Sequence, residues 1–559
     1  YPSGLSILEG LAATGLRSIR YIKELSNVRH CTINDVDLNA TNAIYNNLIS
    51  NGIDDSEISY HAKHLATTTT TPSTPTPAST PTSRIIHDMN KIHINTGDAA
   101  LYMYTHRDPL TQYDVVDLDP YGSAAPFLDG AVQAVADGGL LCVTCTDMSV
   151  FCGNYPEKCF ALYGSMPLKS KYHHEQALRI LLNSIETTAN KYKRHIEPWM
   201  SMSIDYYIRV WVRVHESPIE VKMSSSKRSM IFQSSQCGTF FTQPLGQVPP
   251  SRGKPNPRTF PSPANITPGN IPSTCPETGG RMKVGGPIWS YPIHNKDIIH
   301  ELLARISTHQ PSSASSSSAG NKNNTCISVK PRIMGLLTAM SEELTDVPLF
   351  YHLPELASAL HSKCPSHLEF HSALLNAGYK VSQFHKEPAA IKTNAPDHVV
   401  WDIMREFCKI NPPKTVADGV ESKNSKKKNN KRNHTQNNKK NSDDTVKEEQ
   451  VNQEIQEVPQ DVRNNDQSES DTVETIDTSY FTIGRIDVSQ AILSKPSVTN
   501  VDFTPHPTVV SAGSRKIAEG NTNTNGSNEK KQSKKRKIAR FPPNPESHWG
   551  PKRASTINH

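Results

Sequence analysis

The stretch Asp114–Gly130, "DVVDLDPYGSAAPFLDG", passes from an apolar strand into a helix through an acid, a proline and an aromatic: Asp119, Pro120 and Tyr121. Val115, Val116 and Leu118 read as a buried strand, and "PFLDGAVQAVADGG" reads as the helix after it. Asp, Pro and Gly are all turn residues, so the join can be a plain turn. It can equally be a clamp that sets a carboxylate and a phenol against a planar, polar substrate. The surroundings have to decide.

Upstream, "LSILEGLAATGLRSIRYIKEL" gives strand, glycine-containing turn and helix, and "HCTINDVDLNATNAIYNNLISNG" repeats that order. "KIHINTGDAALYMYTH" supplies a third strand, the opening stretch the fourth, and "GLLCVTCTDM" a fifth. Strands alternating with helices imply a parallel sheet covered on both faces. A long amphipathic helix, "HHEQALRILLNSIETTANKYKRH", follows. "MSIDYYIRVWVRVHE" then alternates as one half-exposed antiparallel strand would. A second compact region, about 329–408, reads as helices with a strand at "KVSQFH", a small helical or winged-helix unit.

Low-complexity tracts interrupt this order at 66–83, 248–275, 310–324, 413–477 and about 513–537. They cannot bury a core and read as surface insertions and linkers. The 559 residues leave room for two or three domains, but 35% apolar content and 41 prolines mean that much of the chain is not packed core. The chain enters an apolar strand almost at Tyr1, which reads as a fragment lacking an upstream piece. No apolar run approaches the roughly 20 residues that span a bilayer. Ten cysteines without close, regular spacing suit a reducing compartment. The net charge of +6 is unevenly spread, with basic runs such as "KNSKKKNNKRNH" and "KKQSKKRKIAR" beside an acidic stretch. Such runs point to nucleic acid or nuclear import, and equally to solvated tails.

The strand ends carry the chemistry. Glu9 closes the first strand, Gly15 lies in the turn after it and Arg17 starts the helix. Glycine there lets a ligand approach the backbone and the helix N-terminus. A full G-x-G-x-x-G is absent, because Ala12 and Ala13 occupy part of the loop. The second strand ends in "INDVD", where Asp35, with Asp37 as runner-up, is placed to accept from ribose hydroxyls. Either acid can instead cap the following helix. At the third strand end Asp98 and the Ala99 backbone can meet an adenine ring. Three polar strand ends in succession suit an adenosyl ligand.

In that setting Asp119-Pro120-Tyr121 suits methyl transfer to an exocyclic amine. The amine nitrogen gains charge as it attacks, so a carboxylate that accepts from its N–H and takes the proton lowers the barrier. An adjacent aromatic face holds the base by stacking. Asp117, two residues earlier, is the less favoured carboxylate.

"EGLAATGLRSIRY", "NDVD", "GDA", "VDLDPYGSAAPFLDGAV" and "TDMSVFCG" resemble the eukaryotic tRNA (guanine-26-N2)-dimethyltransferases, and "GPIWSYPIHN", "AIKTNAP" and "RFPPNPESHWGPK" match later signatures of that family. The resemblance runs discontinuously from about 5 to 553. It implies S-adenosylmethionine as methyl donor and guanine N2 in tRNA as acceptor, methylated twice. Glu9, Arg17, Asp35, Asp98 and Ala99 are then donor-binding, Asp119, the proton acceptor, and Tyr121 are catalytic, and Pro120 and Tyr121 bind the target base. It also implies a Rossmann-like class I methyltransferase sheet, α/β, with a smaller C-terminal α+β domain and long disordered insertions. The corresponding divisions are 1–218 for methyl transfer, 219–412 for tRNA binding, 413–477 as a charged insertion and 478–559 as a C-terminal segment. A nuclear location is expected, with the mitochondrion as a second destination, and no membrane or obligate protein partner is indicated.

Two points stay distinct from the family pattern or open. Relatives often carry two C-x-x-C pairs before the "GP-W" motif, enough for a tetrahedral zinc. Here Ser234 precedes Cys237 and Thr278 follows Cys275, so each pair has lost a thiolate and no metal is expected. In the tail, Arg540, Phe541, Trp549 and Arg553 suit RNA contacts or packing against the core, and "KKRK" at 534–537 suits import, an RNA contact or solvated charge. The competing readings are an amino-methyltransferase acting on DNA or protein, and a non-enzymatic tRNA-binding protein.

Overall fold

The structure is a computed structural model that describes residues 3–61, 91–249, 260–265, 271–308, 330–413, 487–509 and 540–541. The insertion at 66–83, the tract 310–324, nearly all of 413–477, the "KKRK" run, Trp549 and Arg553 lie outside the described residues.

The first half runs β1 (Leu5–Glu9), α1 (Leu16–Glu24), β2 (Val28–Asp35), α2 (Leu38–Ser50), β3 (Ile58–His61), β4 (Ile92–Thr96), α3 (Ala99–Thr105) and β5 (Tyr113–Leu118). It continues with α4 (Ala125–Ala134), β6 (Val135–Cys145), α5 (Met148–Phe151), α6 (Pro156–Tyr163), α7 (His173–Asn190), β7 (Arg194–Ile204) and β8 (Tyr207–Glu216). These strands form one eight-stranded sheet in the order β3-β4-β2-β1-β5-β6-β8-β7. The pairs from β3 to β6 are parallel, and β8 joins β6 and β7 antiparallel. The order reverses between β1 and β5. In open α/β sheets the crevice outside the strand C-termini at such a reversal is where ligands bind.

Successive strand residues point to opposite faces, so each strand feeds two cores. Ile7, Cys31, Ile33 and Ile94 pack with Ile19, Ile22, Ile44 and Leu48 of α1 and α2. Leu8, Val116, Leu118, Leu141 and Val143 pack with Met103, Leu128, Leu178 and Ile185 of α3, α4 and α7. The parallel sheet is therefore covered on both sides, as the sequence order requires. Several elements differ from the sequence reading: α4 ends at Ala134, and residues 135–139 of the expected helix open β6 instead. β3 is a four-residue edge strand too short to show a pattern. "MSIDYYIRVWVRVHE" is not one strand but the end of β7, a turn and β8, with Asp205 in the left-handed region at φ 44°. The helix before it ends at Asn190, and Lys193, at φ 60°, redirects the chain into β7.

The second half is α+β. A three-stranded antiparallel sheet (Phe240–Pro244, Arg228–Ser234, Met282–Trp289) precedes a smaller one (Tyr351–His352, Glu387–Thr393, Val381–Phe384). Around the second lie the helices Lys330–Glu342, Leu353–Ala359, His367–Asn376 and Asp397–Ile410. His367–Asn376 starts at a reciprocal capping box between Ser366 and Glu369. The later segment 487–509 packs back on this unit: Asp402 accepts from the backbone N–H of Val498 and Thr499 at 3.1 and 2.8 Å. Leu349, Phe350, Phe384 and Ala390 share one buried cluster with the main sheet, so the apolar core is continuous between the halves. No described helix is long and apolar enough to cross a membrane.

Candidate active site

Glu9, Asp35 and the turn after β5 open onto one cavity of ≈ 800 Å³ at the reversal point, with Ala12, Ala13, Arg17, Tyr21 and Thr146 in its wall. The β1–α1 loop is held tightly. Gly15 sits at φ 68°, and a Cβ there would meet Ile44 at 3.0 Å. Glu9 is 3% exposed and accepts from the backbone N–H of Ser18, 3.0 Å, and from the Ser18 hydroxyl. Burial pushes the Glu9 carboxyl up to about 7, against the pull of the Ser18 bonds. Asp35 accepts from the Ala13 N–H at 2.8 Å with one oxygen and from the Asp37 N–H at 3.0 Å with the other. It thus fixes the loop of the neighbouring strand. Asp37 caps α2 through the Asn39 N–H, its second reading from sequence.

At the end of β5, Asp117 is fully buried and enclosed. Arg209 of β8 donates to both its oxygens at 2.8 and 2.9 Å, the Tyr21 hydroxyl donates at 2.5 Å, and Arg17 reaches it at 3.3 Å. Burial first and Asp117 second raise the Tyr21 pKa, so the phenol stays a donor. Asp119, about a third exposed, receives the other Arg17 nitrogen at 2.6 Å. Burial alone would lower the Arg17 pKa, but Asp117 and Asp119 outweigh it and hold the guanidinium above its ordinary value. The turn itself is pinned to the end of β6. Gly122, at φ 88°, donates to the Thr146 hydroxyl at 2.7 Å, and Thr146 N–H donates back to Gly122 O at 2.9 Å. Tyr121 is 98% exposed, its ring standing free at the cavity mouth.

Asp98 and Ala99 are not in the cavity wall. Asp98 caps α3 through the Leu101 N–H at 2.7 Å, and the buried Ala99 methyl lies against Gly10. Sequence reasoning missed Arg209 and Tyr21. Arg209 shares the face of β8 opposite the fully buried Ile208, Val210 and Val212 with Trp211 and Arg213, so it reads as the polar half of an alternating strand and nothing in the pattern marks it as buried.

This arrangement, a reversed α/β sheet with acids at three strand ends around one cavity, can be set beside known proteins. A family model described as N2,N2-dimethylguanosine tRNA methyltransferase matches residues 2–71 and 82–405. The chain belongs to this family. Similar relatives are tRNA (guanine(26)-N(2))-dimethyltransferases. That of Mus musculus is 41% identical over 411 residues, 74% of this chain and 54% of the relative. That of Drosophila melanogaster is 40% identical over 74% of this chain and 63% of the relative. The Saccharomyces cerevisiae enzyme, named mitochondrial, is 34% identical over 74% and 66%. The chain thus spans less than two thirds of the length of the mouse and fly relatives. The solved structure of Trm1 from Pyrococcus horikoshii with S-adenosyl-L-methionine shares the fold, with a TM-score of 0.53 and 24% identity over 72% of this chain and 88% of that one.

Two further clusters test for metal. Cys237 and Cys275 face each other at 3.6 Å between sulfurs. Ser234 Oγ accepts the Gln236 and Cys237 N–H groups at 3.3 Å, and Thr278 Oγ1 the Gly280 N–H at 3.2 Å. Two thiols and two engaged hydroxyls do not make a zinc donor set. The buried trio His294, Glu343 and His385 has suitable spacing. However, backbone N–H groups of Ser201 and Ser203 donate to His294 Nδ1 and His385 Nε2 at 3.3 and 3.1 Å. The other ring nitrogens therefore carry the protons and face Glu343, which also holds Lys392 at 3.1 Å. Protons and a lysine already fill the place a cation would take. A larger cavity, ≈ 950 Å³, lies in the second half between Phe240, Phe241, Tyr351 and Asn394, away from the strand-end acids. At the tail, Arg540 pairs with Glu342, and Phe541 lines a small cavity with Leu336 and Pro388, so these two residues pack on the protein.

Proposed function

We propose that this chain is a tRNA (guanine-26-N2)-dimethyltransferase, moving methyl groups from S-adenosylmethionine to the exocyclic N2 of a guanine in tRNA until N2,N2-dimethylguanosine is formed. The observation that carries the reading is the convergence of Glu9, Asp35 and the Asp119-Pro120-Tyr121 turn on one cavity at the reversal of the sheet. Asp35 is assigned to the ribose hydroxyls and Glu9 and Arg17 to the amino-acid end of the donor, while Asp98, whose carboxylate caps α3, and Ala99 lie outside the cavity wall and are given no donor contact. Bound there, the donor supplies an electrophilic methyl on a sulfonium.

The protein's own residues orient the acceptor. Asp119 accepts from the guanine amine and takes its proton as nitrogen becomes positive. Pro120 and Tyr121 hold the base flat at the mouth, and the Gly122–Thr146 pair keeps that turn in place. We assign residues 1–218 to methyl transfer and 219–412 to tRNA binding, and place the protein in the nucleus with the mitochondrion as a second location. The yeast relative named mitochondrial supports the latter.

The test is transfer of labelled methyl to unmodified tRNA. Asp119→Ala should lower the rate by about 10²–10⁴-fold, while binding of S-adenosylhomocysteine persists. A wild-type chain that transfers no label, or an Asp119→Ala variant at full rate, overturns the reading.

A further inference from the structure

We infer that Arg17 is a shared cation: it holds Asp119, and the carboxylate of a bound donor competes for it, releasing Asp119 to meet the guanine amine. The inference rests on the function proposed above and adds an order to it, donor before base.

Among the described residues the hydrogen-bond partner of the Asp119 carboxylate is Arg17, at 2.6 Å. Arg17 holds Oδ2 alone, and the guanidinium beside the carboxylate offsets the negative charge that would draw in the amine proton. The pair is exposed by 31% and 36%, so little desolvation has to be recovered when it opens. Asp117 differs. When Arg17 leaves, the buried Asp117 keeps both Arg209 bonds and the Tyr21 hydroxyl, so no interior charge is stranded. The network is built so that loss of Arg17 frees one carboxylate, the one at the mouth.

The cavity wall also says where Arg17 would go. It holds two cations, Arg17 and Arg20. Arg20 is engaged by Glu24 of its own helix through two bonds, at 2.8 and 2.9 Å. Arg17, in the first turn of α1, stands next to the loop that would receive the amino-acid end of the donor. The same guanidinium thus faces two carboxylates that compete for it, one of the protein and one of the ligand.

The experiment compares S-adenosylhomocysteine with its decarboxylated analogue by titration calorimetry, on wild type, Asp119→Asn and Arg17→Gln. If Asp119 competes for Arg17, Asp119→Asn binds S-adenosylhomocysteine at least threefold more tightly and leaves the analogue unchanged. Arg17→Gln weakens S-adenosylhomocysteine and abolishes that gain in the double variant. In wild type, S-adenosylhomocysteine also raises tRNA affinity, and in Asp119→Asn it does not. Unchanged or weaker binding by Asp119→Asn, in a wild-type background that transfers methyl, overturns the exchange and leaves the proposed function standing. A wild type that binds neither compound and transfers no methyl overturns both. A thermal melt of each variant confirms folding, which the exposure of both side chains should preserve.

Discussion

At the cavity mouth Arg17 and Asp119 meet with about a third of each side chain in solvent, whereas Lys392, Glu175 and Glu343 meet with none exposed. Both clusters are ion pairs at hydrogen-bond distance, yet they answer to different costs. A half-exposed pair gains little and loses little, because water replaces either partner. An enclosed pair has given up its hydration and depends wholly on the partners that replace it. In the interior, Glu175 takes Arg179 Nε at 2.8 Å, Lys392 at 2.6 Å and the Leu349 N–H at 2.9 Å, while Glu343 takes Lys392 and His385, with His294 Nε2 facing it at 3.5 Å. Burial alone would raise Glu343, but Lys392 and the two histidines outweigh it and keep it well below its ordinary pKa. Two carboxylates balance two cations here, and the residues come from α7, from the helix end after 342 and from the strand Glu387–Thr393. The difference teaches that exposure separates an ion pair that can be exchanged from one that joins the two halves of the molecule.

The interior cluster gives the largest expected effect. Lys392→Met removes the cation shared by two buried acids and should cost about 3–5 kcal/mol, read as a shift in the urea midpoint. Adding Glu343→Gln should recover part of the loss, because one uncompensated charge is removed with it. Arg17→Gln, by contrast, should change stability by less than about 1 kcal/mol. A Lys392→Met protein as stable as wild type would break the distinction between the two clusters.

The gathering of Glu9, Asp35 and Asp119 around one cavity was legible because they lie at strand ends, and strand ends can be counted along a sequence. Glu9, Asp35 and Asp119 each follow an apolar run and precede a helix, so order alone places them on one edge. Asp98 follows the same rule but spends its carboxylate on the N-terminus of α3, a local competition that spacing cannot settle. The charge partners were not legible. Arg209 lies 92 residues from Asp117 and Lys392 lies 217 from Glu175, and no periodicity links residues that far apart. Lys392 stood inside the quoted "AIKTNAP", where its type was visible and its task was not. The β7–β8 turn escaped because Asp205 and Tyr206 carry no glycine or proline to announce it.

Glu9 sharpens the comparison, since it belongs to the mouth but is buried like the interior. Its folded-state pKa of about 7 lies above the ordinary value of 4.5. Between those values the folded protein binds more protons than the unfolded chain, so stability falls as pH rises. The penalty is absent below about pH 4.5 and complete above about pH 7, and amounts to about 3 kcal/mol at 1.36 kcal/mol per pKa unit. Glu9→Gln should remove that slope. Urea denaturation of both proteins at pH 5 and pH 8 checks it. Equal pH dependence in the two would mean that Glu9 is not desolvated as its 3% exposure indicates.

Tyr121 is the opposite extreme, a large aromatic side chain with 98% of its surface in water. Among the described residues nothing covers its ring, so packing does not account for its place. The turn holds it there, with Gly122 at φ 88° and bonded to Thr146. Stacking one base on an aromatic ring is worth about 1–3 kcal/mol, so Tyr121→Ala should weaken tRNA binding by roughly tenfold or more. Tyr121→Phe should keep most of the affinity, because the face rather than the hydroxyl does the holding. The melting temperature and S-adenosylhomocysteine affinity should stay within error of wild type for both variants. A Tyr121→Ala protein that binds tRNA normally would move the base contact off this turn and leave Asp119 as the sole acceptor-side residue there.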